Sequence, residues 1–181
     1  TIDPTWDGGG AADDFNWSTA DNWSGNVIPH TTELVTFDST STKNCTIDVL
    51  GDWSGGNFTI ALGYDTGVVT QGTGVAITIG NFSQAGGTFT GSDANITVNG
   101  TFSLTAGAFT STSATLSVAG STFTISGTPT FTHNSGTIEF NGVADQTVTT
   151  NGVTFSDFKV NNSGNSIIIS GNLDVDGTLN V

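Results

Sequence analysis

A chain of 181 residues with only two basic residues, Lys43 and Lys159, and 16 acidic ones carries a formal charge of −14. That balance excludes a surface built to neutralise phosphates, on nucleic acid or on an anionic membrane. Thr (33), Gly (25), Ser (18) and Asn (16) fill 92 positions, yet 12 Phe, 4 Trp and evenly spaced Val and Ile argue against disorder and for the half-buried pleats of an all-β protein.

The first 62 residues differ from the rest. They hold all four tryptophans (Trp6, Trp17, Trp23, Trp53) and nine of the 16 acidic residues. No leader-like segment stands at Thr1, as expected of a mature chain or a fragment, and no run reaches the ~18 apolar residues of a membrane span. Residues 1–62 are therefore predicted to be a Trp- and Asp-rich capping module, with its indoles covering the open end of a repetitive core. Asp7, Asp13 and Asp14 lie in a Gly-rich loop that offers calcium the carboxylate and carbonyl oxygens it prefers. The competing reading is that these side chains cap backbone N–H groups in turns. Neither reading calls for another cofactor. The lone Cys45 reads as a small buried apolar group. His30 and His133, far apart and outside any motif, read as surface or turn residues.

From Gly63 to the end the composition turns to Thr, Gly and Ser, and the sequence repeats. Phe89, Phe109 and Phe131 are 20 and 22 residues apart, as are Val98, Val118 and Phe140; Phe82, Phe102 and Phe123 are 20 and 21 apart. Three columns sharing one period of about 20 residues predict a parallel β-solenoid, each coil made of three short strands with equivalent positions stacked ~4.8 Å apart. A β-sandwich with coincidental spacing is the alternative. Alternation sends Phe89, Ile96, Val98, Phe102, Leu104, Phe109, Leu116, Val118, Phe123 and Ile125 inward, with Thr, Ser and Asn outward. About five coils are expected over residues 63–181.

After Asn141 the repeat loosens, and one coil with a bulging connection followed by the start of another is expected. Asp174 and Asp176 share an outer face, but two lysines in the whole chain offer an acidic polysaccharide no counter-charge. The run ending at Val181 carries no Pro, charged helix or aromatic plug. Such an edge is a template for further pairing. Leu173, Val175, Leu179 and Val181 are therefore expected to face further coils of the same chain, or a second copy docked head to tail. Eight Asn-x-Ser/Thr triplets, at Asn16, Asn22, Asn44, Asn57, Asn81, Asn95, Asn99 and Asn161, permit glycosylation of the outer faces.

The segment "TWDGGGAADDFNWSTADNWSGNVIPHTTELVTFDST" resembles the opening module of bacterial surface β-helix proteins, similar to those with autotransporter-associated β-strand repeats. The shared pattern falls on Trp6, Gly8, Gly9, Asp13 or Asp14, Trp17-Ser18, Asn22-Trp23, Pro29 and Phe37. The C-terminal "FSDFKVNNSGNSIIISGNLDVDGTLNV" resembles a module of the same class. The resemblance implies a right-handed parallel β-helix at the cell surface and brings no catalytic residues with it. The expectation is a non-enzymatic, extracellular structural segment of a stalk, adhesin or filament. A carbohydrate-binding or polysaccharide-degrading β-helix, with surface glycans as partners, is the alternative.

Overall fold

A computed structural model of the chain describes residues 3–181. Every pairing between its strands is parallel, and the strands stack as a β-solenoid of about 7 turns with ~21 residues per coil. Each coil feeds three stacks. The first holds β1 (Val35–Phe37), the second halves of β3 (Gly51–Ile60) and β5 (Ile77–Gln84), then β8 (Phe102–Leu104), β11 (Thr122–Ile125), β14 (Gln146–Thr149) and β17 (Ile167–Ser170). The second holds the first halves of β3 and β5, then β7 (Ile96–Val98), β10 (Thr115–Val118), β13 (Thr137–Phe140), β16 (Asp157–Val160) and β19 (Leu179–Asn180). The third runs β2 (Cys45–Ile47), β4 (Val68–Gln71), β6 (Thr88–Thr90), β9 (Ala108–Thr110) and β12 (Thr130–Thr132). Nearer the C-terminus, β15 (Thr154–Phe155) pairs with β18 (Asp174–Val175).

All three sequence columns stand in register. Phe89 pairs with Phe109 and Phe109 with Phe131. Phe82 pairs with Phe102 and Phe102 with Phe123, and Val98 pairs with Val118 and Val118 with Phe140. A parallel ladder superposes equivalent side chains, so the rings stack. Phe89–Phe109 and Phe109–Phe131 lie 11° and 9° from parallel with centroids 5.2 and 5.8 Å apart. Phe82–Phe102 and Phe102–Phe123 follow at 4.9 and 4.6 Å. All ten inward residues expected between Phe89 and Ile125 are buried. Coil stacking begins at Val35, within the stretch assigned to the cap, so two coils precede the Thr/Gly-rich region.

The corner between the second and first stacks is set by a column of glycines. A Cβ on Gly56 would overlap the Glu33 carbonyl oxygen, on Gly80 that of Gly56, and on Gly120 that of Gly100; on Gly100 it would lie 2.7 Å from the Gly80 oxygen. Here the backbones of successive coils touch, and any side chain would push them apart. The inner corners are filled by amides. Gln84 Nε2 donates to the carbonyls of Gly86, Gly87 and Ala108. Gln71 Nε2 donates to Val75 and Ala94, and Gln146 Nε2 to Val118 and Gly120. All three glutamines are buried.

Phe109→Ala is expected to cost about 3–5 kcal/mol, because a rigid aromatic column cannot collapse around the gap. Gly100→Ala, smaller in volume, is expected to cost more than an ordinary surface substitution, which usually stays within about 0.5 kcal/mol. Chemical denaturation measures both.

Candidate functional site

The N-terminal end is the most elaborate part of the molecule. Two strand-like segments lie on the first coil, with Thr5 bridging Thr36 and Asn16 bridging Thr46, both parallel. Their backbone bonds are made in the style of a rung: Trp6 N to Thr36 O, Trp17 N to Thr46 O, and Thr46 N to Phe15 O. The chain then reverses. Trp23 bridges Trp6 antiparallel, and residues 22–24 close the outer edge of residues 5–8 through Ser24 N to Thr5 O and Asp7 N and Gly8 N to Asn22 O. An antiparallel segment laid across the outer edge ends the parallel stack there.

Beneath it sit the expected cap aromatics. Trp6, Trp17 and Trp23 are wholly buried and Trp53 nearly so. Trp17 lies 4.4 Å from Trp23 and 4.3 Å from Trp53 between ring centroids, and Trp6 meets Trp23 edge-on at 5.1 Å. Phe37 carries the cluster onto Phe58 and so into the stacked core. Three indole N–H groups are placed as follows: Trp6 donates to Lys43 O, Trp23 to Trp17 O and Trp53 to Pro29 O. Trp17 Nε1 has no acceptor among the described residues. With their rings packed inward, these tryptophans do not form a sugar-stacking platform.

Lys43 was not singled out in the sequence, and it organises the cap. Its ammonium donates to the carbonyls of Ala11 (2.8 Å), Gly8 and Gly10 (3.2 Å each) and to Asn22 Oδ1 (3.2 Å). Its own carbonyl accepts from Trp6 Nε1 and, at 2.6 Å, from the Tyr64 hydroxyl. Burial holds the Tyr64 hydroxyl and the Cys45 thiol well above their usual pKa values, so both stay protonated; Cys45 is the buried apolar group expected.

Two of the three aspartates of the loop are spent on turns. Asp7 Oδ1 accepts from Gly9 N. Asp14 accepts from Asn16 N and the Thr19 hydroxyl, bonds that hold its carboxyl below the usual carboxylate range, with nearby Lys43 adding to the effect. Asp13 is exposed. Among the described residues no three acidic, histidine or cysteine side chains gather as a metal-binding group, and the cation inside this loop is the Lys43 ammonium.

The other sequence candidates lie apart from this cap. His30 is exposed beside Trp53 at a shallow hollow that Leu50 borders, and His133 accepts from Ser135 N in a turn. Asp174 takes a bond from Thr154, and Asp176 is exposed. Seven of the eight glycosylation triplets present an exposed Asn; Asn22 is buried, its amide donating to Asp14 O and Asn16 O. At the C-terminal end Leu173 and Val175 are half-buried, whereas Leu179 and Val181 are 52% and 87% exposed. Leu179 continues the column of Phe158. Glu139 is held below its usual pKa by Lys159, 2.8 Å away on the neighbouring rung.

Comparison of the chain with protein-family models, with curated proteins and with solved structures finds no match.

Replacing Lys43 with Met removes the donor that gathers the Gly8, Gly10 and Ala11 carbonyls and Asn22 Oδ1, leaving Ala11 O only Asp14 N and Asn22 Oδ1 only Gly10 N. It is expected to cost about 1–3 kcal/mol, with a red-shifted tryptophan emission as the cap loosens. With the ammonium in place, added Ca²⁺ is expected to leave the wild-type melting temperature unchanged; a rise of several degrees would restore calcium as the occupant. Asp14→Ala is expected to melt below the wild type at pH 7. A depressed carboxylate contributes stability above its unfolded pKa and loses it as the pH falls through its folded pKa, so the gap closes on acidification.

Proposed function

We propose that this chain is a non-catalytic structural segment of an extracellular, cell-surface stalk, adhesin or filament. The observation that carries the reading is one continuous stacked core, closed at its N-terminal side by the tryptophan-rich segment. The N-terminal end is closed by an antiparallel segment over four tryptophans. The C-terminal rung presents β17, β18 and β19 with Ile168, Leu179 and Val181 exposed. A core closed at its N-terminal side and built of repeated parallel rungs supports a rod of stacked coils.

The closed side bears on how the rod lengthens. A second copy's N-terminal region offers no free strand edge along residues 5–8, because its own residues 22–24 already occupy that edge. Further coils of the same chain satisfy the last rung without dismantling the cap, so continuation is favoured over head-to-tail docking. Each added coil lengthens the rod by one strand spacing, ~4.8 Å, and all coils share the tension through parallel backbone ladders.

The test is electron microscopy of the full reading frame, together with protease shaving of the cells that produce it. A thin rod that continues from this segment and is released from the cell surface is the expected result. An intracellular protein, or measurable depolymerisation of polysaccharides by the purified chain, would overturn the reading.

A further inference from the structure

The outer surface of the third stack differs from the other two in chemistry and regularity. Across β2, β4, β6, β9 and β12 the outward positions form two columns. One is unbroken threonine: Thr46, Thr70, Thr90, Thr110 and Thr132 are paired in sequence along the stack. The other runs Val68, Thr88, Ala108 and Thr130, two residues earlier on each strand. No charged residue stands in either column, in a protein of net charge −14. On the second stack the same outward position becomes Glu139 and Lys159, and on the first the column is mixed serine and threonine beside hydrogen-bonded Asn57 and Asn81.

Two further observations point to a ligand. None of the hydroxyls of these seven threonines makes a hydrogen bond within the protein among the described residues; the same holds for Thr36, Thr59 and Thr124 on the first stack, and what sets the third stack apart is that its threonine column is unbroken. Their hydrogen bonds are left for water. The layer directly beneath the array is regular: Phe89, Phe109 and Phe131 stack within 11° of parallel from rung to rung. Sheets ordinarily rotate by roughly 20–25° per strand and flatten where side-chain ladders stack.

The face is thus a lattice of methyl and hydroxyl groups. Its spacing is ~4.8 Å between strands and roughly 6.6–6.8 Å between the two columns on one strand. Threonine is β-branched and restricted at χ1, so the lattice is ordered before anything binds. The oxygen lattice of hexagonal ice repeats at closely similar distances along the two axes of its prism planes. Methyl groups at that spacing order a cage of water, and free hydroxyls anchor it. We propose that the threonine face of the third stack binds ice.

The test uses the 181-residue chain and ice itself. Nanolitre osmometry and a recrystallisation assay are run on the wild type, on Thr110→Lys and Thr132→Lys in the face, and on Ser103→Lys on the first stack as control. The expected result is faceted crystals and suppressed recrystallisation for the wild type. At least a tenfold higher concentration is expected to be needed for either face variant, with no change for the control and melting temperatures equal throughout. Thr132 is exposed at the last rung of this stack, so its variant reports even if Thr110→Lys fails to fold. A wild type without effect on ice growth overturns the proposal. So does equal loss in the Ser103 control, or a wild-type dimer in sedimentation that the face variants dissociate, which would assign the face to a second copy.

Discussion

The structure depends on the parallel backbone ladder between coils. A single coil of three short strands has nothing to bury its apolar residues against and leaves its backbone donors and acceptors unpaired. Stacking supplies both needs at once, and it does so only if every coil presents the same residue type at the same place. In-register pairing makes columns of phenylalanine inside, columns of threonine outside and a column of glycine at the corner where backbones touch. Within one strand, register at one position fixes that of its neighbours, while corners absorb differences in coil length, as between Trp53 and Asn57.

A ladder that propagates must also be stopped, and the N-terminal segment shows the chemistry required. Three kinds of group are exposed at the end of a parallel stack: strand edges, the apolar core and corner carbonyls. Residues 5–8 and 15–17 pair with the edges; the first is closed by the antiparallel residues 22–24, and the second receives the Asn22 amide and the Trp23 indole on its Asn16 and Trp17 carbonyls. Four indoles cover the core. Lys43 gathers loop carbonyls around its ammonium. One of only two basic residues in the chain is thus committed to the cap, and the other, Lys159, to Glu139. The outer faces are left acidic or neutral, which suits a surface that meets solvent rather than a polyanion.

Much of this was legible in the sequence because columns of identical residues report directly on register. The Phe82, Phe89 and Val98 columns identified the coil, and alternation identified the inward side. The cap was legible from its tryptophans. The glutamines were missed because a polar residue in an alternating run reads as outward, although strand parity with the inward Phe82 and Val69 places Gln84 and Gln71 inside. The two coils before Gly63 were missed because their acidic and aromatic residues obscure the repeat; only Phe58 and Phe82, 24 residues apart, hint at it. Lys43 left no local signal, since its partners lie more than 20 residues away and are mostly backbone atoms. For the loop aspartates, composition left calcium and turn capping both open, and the structure shows Asp7 and Asp14 accepting turn hydrogen bonds beside the Lys43 ammonium.

Order spreads from the closed N-terminal side through the stacked coils. Residue-resolved hydrogen exchange of the 181-residue chain under native conditions tests it most directly. The account predicts slow exchange at Trp6, Trp17 and Thr46 and through β5 to β11. It predicts protection falling across β14 and β16 and fastest exchange in β17 to β19. Slowest exchange in the last rung, or early opening of the tryptophan cap while the C-terminal coils stay protected, would contradict it.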